Sequence, residues 1–238
     1  DLTGKSSIIL GLNHGQDFNR LQDRRLLMYL LAVVRPKHVW FSFPCGCWGP
    51  WSRFNIAKGG KSESTVLQQR KEARRHLRAV SEAWQLQRLL GGHCHAENPL
   101  ISEAWSEIFV GEVFDVRIDM CSVGMRCPKT NVPVLKPTRI ITTMKELADR
   151  LTSCRCDHKH GHAHLEGKFK GRNLSSWCEV YPNKMCRIIA EVMSEVNIDP
   201  CMSHDVLFDE DDDEEMEQQQ PDEMVPYQEG EPQPLAVS

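Results

Sequence analysis

A cysteine and a glutamate are the residues in this chain best placed to do chemistry. Cys45 stands in Phe43-Pro44-Cys45-Gly46 at the end of one apolar run, and Glu97 stands in Glu97-Asn98-Pro99 at the end of another. Lys136-Pro137-Thr138 precedes a third. A thiolate is the strongest nucleophile among the standard side chains, and the glycine beside Cys45 lets a planar substrate approach. A glutamate placed after the next strand can hydrogen-bond or protonate that substrate as sulfur attacks. These are the parts needed for attack on an unreactive heteroaromatic carbon. Each part alone reads as structural, and their order along the chain makes them a candidate site. A cysteine hydrolase using Cys45 with His93 or His95 is the weaker enzyme reading, because nothing supplies an orienting partner for the histidine.

The elements that must position these residues follow from periodicity. Residues 23–34 place Leu26, Leu27, Leu30, Leu31 and Val34 at helical spacing, ended by Pro36. Residues 38–42 read as a short buried strand, followed by a loop rich in Gly, Pro and Trp through Asn55. The longest helical pattern covers 62–90, with Val66, Ala73, Leu77, Val80, Trp84 and Leu90 as its apolar stripe and Gly91-Gly92 as its stop. Its polar side carries Arg70, Lys71, Arg74, Arg75 and Arg78, a cationic face able to grip phosphates or simply to meet water. Strands at 94–96, 113–118 and 139–142 and helices at 101–108 and 144–151 complete the pattern. The alternation of strand, crossover helix and strand predicts an α/β fold with a mostly parallel sheet, helices on both faces and strand ends on one rim. That rim is where open α/β sheets bind ligands.

Composition bounds the partners. The net charge of -4 conceals a division of the chain. Of the 33 acidic residues, twelve lie from Asp209 onward, where there is no Lys or Arg, so residues 1–208 carry 29 basic against 21 acidic. A domain over 1–200 and an acidic, disordered tail over 201–238 are expected. A basic body with a polyanionic end suits a nucleic-acid partner, and a tail that only keeps the protein soluble is the plainer alternative. No apolar stretch has the length to cross a bilayer and no signal peptide opens the chain, so no membrane partner is expected. Several of the ten cysteines (Cys94, Cys121, Cys186) sit in apolar or strand-like runs, where reduced thiols pack as small hydrophobes. This reads as a reducing compartment, hence an intracellular protein, nuclear or cytoplasmic.

Phe43-Pro44-Cys45 followed by Trp51-Ser52, with Glu97-Asn98 after one long helix, resembles the catalytic core of the DNA cytosine-5 methyltransferases. The resemblance implies a Rossmann-like domain that transfers a methyl group from S-adenosylmethionine to cytosine in DNA. It makes Cys45 the nucleophile that adds to C6 of a flipped-out cytosine and Glu97 the partner of N3. Gly15-Gln16-Asp17-Phe18 resembles the turn that contacts the cofactor adenine, which makes Asp17 a cofactor candidate. Arg70, Arg74 and Arg78 are the candidate nucleic-acid contacts. More narrowly, Asp119-Met120-Cys121, Gly124, Lys136-Pro137-Thr138, Cys156, His160, His162 and Tyr181-Pro182 are similar to methyltransferase-like domains of retrotransposon polyproteins of protists. The likeness covers 15–189. A start at Asp1 without Met would then mark a polyprotein piece with other modules as partners, N-terminally incomplete. A degenerate, non-catalytic nucleic-acid-binding or assembly module is the alternative.

The departures set limits. The glycine-rich loop that cradles the cofactor in this family is absent, so S-adenosylmethionine is expected only if that loop is supplied from outside the chain. The family places Ser four residues after its nucleophile, whereas Ser52 follows Cys45 by seven and Cys47 by five, so Cys47 remains the rival nucleophile. No stretch is long enough for a separate target-recognition domain. Cys154, Cys156, His158, His160, His162 and His164 are dense enough for zinc, with Cys178 or Cys186 to complete a site. Their alternating spacing does not match the gaps of ordinary zinc hairpins, so zinc is the less favoured reading and no metal ligand is assigned.

Overall fold

The computed structural model describes residues 7–11 and 14–195. The chain divides into two units, Asp1–Cys201 and Met202–Ser238, and all described residues belong to the first. The acidic tail lies outside the described residues. Helix α1 (Leu21–Val34) leads into β1 (His38–Ser42). Two further helices, α2 (Pro50–Ala57) and α3 (Gly60–Leu89), precede β2 (His93–Pro99). Then follow β3 (Phe114–Asp119), β4 (Pro137–Thr142) and α4 (Lys145–Thr152). A two-stranded ribbon, β5 (Lys168–Phe169) and β6 (Arg172–Asn173), precedes the short α5 (Leu174–Trp177) and α6 (Asn183–Glu195).

The four main strands form one mixed sheet in the order β1-β2-β4-β3. The expected mostly parallel, Rossmann-like sheet is not what forms. Only β1 and β2 pair parallel; β4 runs antiparallel to both β2 and β3. The reason lies in the connections. Of the links between strands, only that from β1 to β2 carries a helix long enough to cross back over the sheet, namely α3. The link from β2 to β3 holds a single 3-10 turn, Glu103–Ser106, where a helix over 101–108 was expected. The link after β3 returns the chain in the opposite sense, so β4 inserts between β2 and β3.

Residue alternation along the strands gives the sheet two covered faces. Phe41, Cys94, Ala96 and Ile141 pack with Leu27, Leu31, Leu77, Val80, Ala83 and Trp84 of α1 and α3. Val116, Ile118 and Ile140 pack on the other face with Leu147, Leu151, Met185 and Val192 of α4 and α6. Helix α3 ends as its two glycines foretell. The Gly92 amide bonds Gln87 O at 3.0 Å and the Gly91 amide bonds Arg88 O at 3.1 Å. Gly91 takes a φ of 77°. This is the paired closure in which glycine occupies the left-handed position. Among the described residues, no helix is long and apolar enough to cross a membrane.

Candidate functional site

Pairing register decides which side chains meet. Ser42 lies opposite Glu97, Pro99 opposite Thr138, and Asp119 opposite Pro137. The C-terminal ends of β1, β2 and β3 and the N-terminal end of β4 therefore share one rim. Cys45, Glu97 and Lys136, far apart in sequence, all stand on it.

Glu97 is buried, and its two oxygens differ. Oε2 accepts a hydrogen bond from Tyr181 Oη at 2.6 Å, whereas Oε1 has no partner among the described residues. With the Tyr181 proton committed to Glu97, Ser42 Oγ donates to Tyr181 Oη at 2.6 Å and Trp40 Nε1 donates to Ser42 at 3.2 Å. This chain of donors ends on the carboxyl group. Burial raises the Glu97 pKa, and the Tyr181 bond and the Lys136 charge only partly oppose it. A protonated Oε1 can thus donate to an acceptor that enters the rim. The next residue is held as firmly: Asn98 Nδ2 donates to Phe43 O at 2.6 Å, which ties the end of β2 to the segment before Cys45.

Cys45 is exposed and precedes the 3-10 turn Gly46–Trp48. Crowding by its neighbours raises the thiol pKa, Lys136 lowers it, and Glu97 and Glu179 raise it further. Cys45 therefore lies within electrostatic reach of both other rim residues. Cys47 is half-buried, is raised by burial, and is influenced by Arg70 and Arg74 instead. Its carbonyl accepts from Arg70 Nε at 3.0 Å, and Ser52 Oγ donates to Gly46 O at 2.9 Å. Gly46–Trp48 form a tight turn after which Cys45 feels the charge of Glu97 whereas Cys47 feels those of Arg70 and Arg74. The Gly-Pro-Trp loop also contains α2, which begins at Pro50 and which periodicity missed in so short a segment.

Lys136, a marker without derivable chemistry in the sequence, is half-buried and donates from Nζ to Cys178 O at 3.2 Å. Tyr181, part of the Tyr181-Pro182 motif, proves to be the hydrogen-bond partner of Glu97. Nothing local in the sequence connects residues so distant. The other site candidates lie elsewhere. Asp17 Oδ1 accepts from the Asn19 amide at 3.0 Å, and the Asp17 amide donates to Asp23 Oδ2 at 2.8 Å, so this acid shapes the entry to α1. Its charge reaches His76 of α3. Arg70 stacks on buried Trp48, 4.9 Å from the ring, and pairs with Glu103. Arg74 holds Glu107 through two bonds of 3.0 and 3.1 Å. Arg78 is exposed.

His93 pairs with His38 at the opposite end of β1 from Ser42, four residues or about 13 Å from the rim. His95 is fully buried, bonds Thr142 Oγ1 at 2.7 Å and is held well below the usual histidine pKa by burial and by His38 and His93. Neither histidine is placed to serve Cys45 as a base. A shallow recess between α2 and α3, lined by Asn55, Ser62, Thr65 and Val66 among others, contains none of the rim residues.

Of the two cofactor expectations, the one that set zinc aside needs correcting. S-adenosylmethionine does not fit the residues present: no glycine-rich turn follows a strand near Asp17 among the described residues, and the Asp17 side chain caps its own loop. No step is assigned to it. Zinc, the less favoured reading in the sequence, is supported by four ligand atoms. Cys121, Cys156, His160 and His162 bring theirs within 4.8 Å of one another. Cys121, in the 3-10 turn Met120–Val123 after β3, completes the set in place of Cys178, which is buried, or Cys186. Cys154 packs into the core, and His158 and His164 are exposed outside the cluster.

Comparison with protein-family models, with curated proteins and with solved structures finds no match to this chain.

Proposed function

We propose that the rim is a base-binding site of cytosine-5 methyltransferase-like character, acting on cytosine in nucleic acid through a covalent Cys45 adduct. One observation carries the reading: a buried glutamate with a raised pKa and one unpartnered oxygen stands in register with the strand that delivers an exposed cysteine. Cytosine N3 is an acceptor, and a protonated Glu97 Oε1 is a donor. In the addition step the Cys45 thiolate bonds to C6. The C5=C6 electron pair shifts toward C4, and the C4=N3 pair is taken up at N3 with the proton from Glu97. The product is a nucleophilic enamine at C5. C5 then accepts a solvent proton, and reversal releases either C5 proton, restores the ring and expels the thiolate. Lys136 favours the thiolate over the thiol electrostatically.

This chemistry needs no methyl donor, which makes it testable on the chain alone. An oligonucleotide deuterated at cytosine C5 is incubated with the protein, and deuterium loss is followed by mass spectrometry. Wild type is expected to catalyse exchange, Cys45→Ser to abolish it and Cys47→Ser to retain it. Glu97→Gln is expected to slow it by about 10²–10⁴-fold, the usual contribution of general acid catalysis. If wild type binds the oligonucleotide without exchange, the reading fails and a non-catalytic nucleic-acid-binding module takes its place.

A further inference from the structure

We propose that Cys121, Cys156, His160 and His162 bind one structural zinc ion that clasps the loop after α4 to the rim of the sheet. Cys156 Sγ lies 3.3 Å from His162 Nε2 and 3.7 Å from His160 Nε2. Around a tetrahedral zinc, with sulfur at about 2.3 Å and nitrogen at about 2.0–2.1 Å, the sulfur-to-nitrogen edge is about 3.6 Å. The two observed separations bracket that edge. Both nitrogens are Nε2, so both imidazoles present the same atom to the same point.

The surroundings are those of a metal-bound sulfur. The His158 amide donates to Cys156 Sγ at 3.3 Å, and His158 reaches this position with a left-handed φ of 57°. An amide aimed at sulfur stabilises thiolate over thiol. On the far side of the His160 ring, Nδ1 faces Asp157 Oδ1 at 3.8 Å, the side from which carboxylates orient metal-bound histidines. Four protein ligands leave no open position, which is the mark of a structural rather than a catalytic site.

The fold gives the ion a task. Between Ser153 and the ribbon strand β5 the chain has no regular structure, and so long an irregular segment is unusual in a compact domain. A few polar bonds attach it: the Cys156 amide to Asp119 Oδ2 at 3.0 Å, the Asp119 amide to Cys154 O at 2.9 Å and the Ala163 amide to Pro133 O at 2.8 Å. A zinc joining Cys121 to three residues of the loop would fasten it to the end of β3. The proposal is independent of the chemistry assigned to Cys45.

The test uses the full chain. Zinc is counted by atomic emission in purified protein, and the stripped protein is then titrated with cobalt(II). One zinc per chain is expected. Cobalt should give the visible bands of a tetrahedral site together with thiolate charge transfer. Cys121→Ser and Cys156→Ser should each weaken metal binding by more than about 100-fold, beyond what loss of an outer hydrogen bond causes. Cys154→Ala and His164→Asn should leave it unchanged. His162→Cys should keep the metal and strengthen the charge transfer, which separates ligand loss from misfolding. A folded wild-type chain that takes up no cobalt overturns the proposal. So does metal binding that survives Cys121→Ser but is lost in Cys154→Ala.

Discussion

At the scale of single residues, the proposed chemistry needs Glu97 protonated and Cys45 deprotonated, yet their surroundings favour the protonated form of both. Burial raises the Glu97 pKa, while crowding by neighbours and the charges of Glu97 and Glu179 raise that of the exposed Cys45, which keeps Glu97 protonated to higher pH and Cys45 neutral as a thiol. The reactive form, thiolate with protonated carboxyl, is then a constant minor fraction between the two values. Exchange at C5 should rise with pH up to the Glu97 pKa, run flat, and fall above that of Cys45; a single rising titration would place the proton on another group. Stability gives a second readout. The folded chain holds the Glu97 proton more tightly than the unfolded chain does. Its contribution is therefore fully present below the ordinary carboxylate pKa and is lost as pH rises through the raised folded value. In urea unfolding, Glu97→Gln should gain on wild type as pH rises from the ordinary carboxylate range through the raised folded value. Parallel curves for the two proteins would mean that Glu97 is not perturbed.

At the scale of elements, the junction of α3 with β2 places Glu97. Gln87 is buried and donates to Pro36 O, so it joins α3 to the segment before β1. Gly92 lies against it: a Cβ there would overlap Gln87 Nε2 and stand 2.9 Å from Pro36 O. Gly92→Ala should destabilise by about 1–3 kcal/mol, as overpacking does. Adding Gln87→Ala should cost less than the sum of the single changes, because the main clash is gone. Strict additivity in denaturant unfolding would show that the two residues do not share this space. The helix pattern over 62–90 was legible because α3 buries a regular stripe. Helix α2 was not, since two turns hold too few apolar positions to define a period. Arg70 shows the same limit: its stack on Trp48 and its bond to Cys47 O come from the turn after Cys45, which periodicity does not describe.

At the scale of the whole molecule, charge is unevenly distributed along the chain, with 29 basic against 21 acidic residues in 1–208. Lys71, Arg75 and Arg78 lie exposed along α3, and no ion pair holds them among the described residues, whereas Arg74 is paired with Glu107. If this face meets the nucleic-acid backbone, Arg78→Ala should lower the salt dependence of binding by about one counterion. Arg74→Ala should do less. An unchanged salt slope in Arg78→Ala would move the contact off α3.

The amino-acid sequence alone determined β1, which ends at Ser42 just before Cys45, and the presence of β2, because short apolar runs and turn residues act locally; β2 runs on to Pro99, so Glu97 lies inside it rather than past a strand over 94–96. The sequence also displayed Cys156, His160 and His162 as potential ligands. Only the tertiary structure decided that β4 inserts antiparallel between β2 and β3, since strand direction depends on what the connections can span. The same holds for Tyr181 meeting Glu97 and for Cys121 completing a cluster with residues of a distant loop. Such meetings are set by pairing register and by the packing of α6, and a linear pattern carries neither.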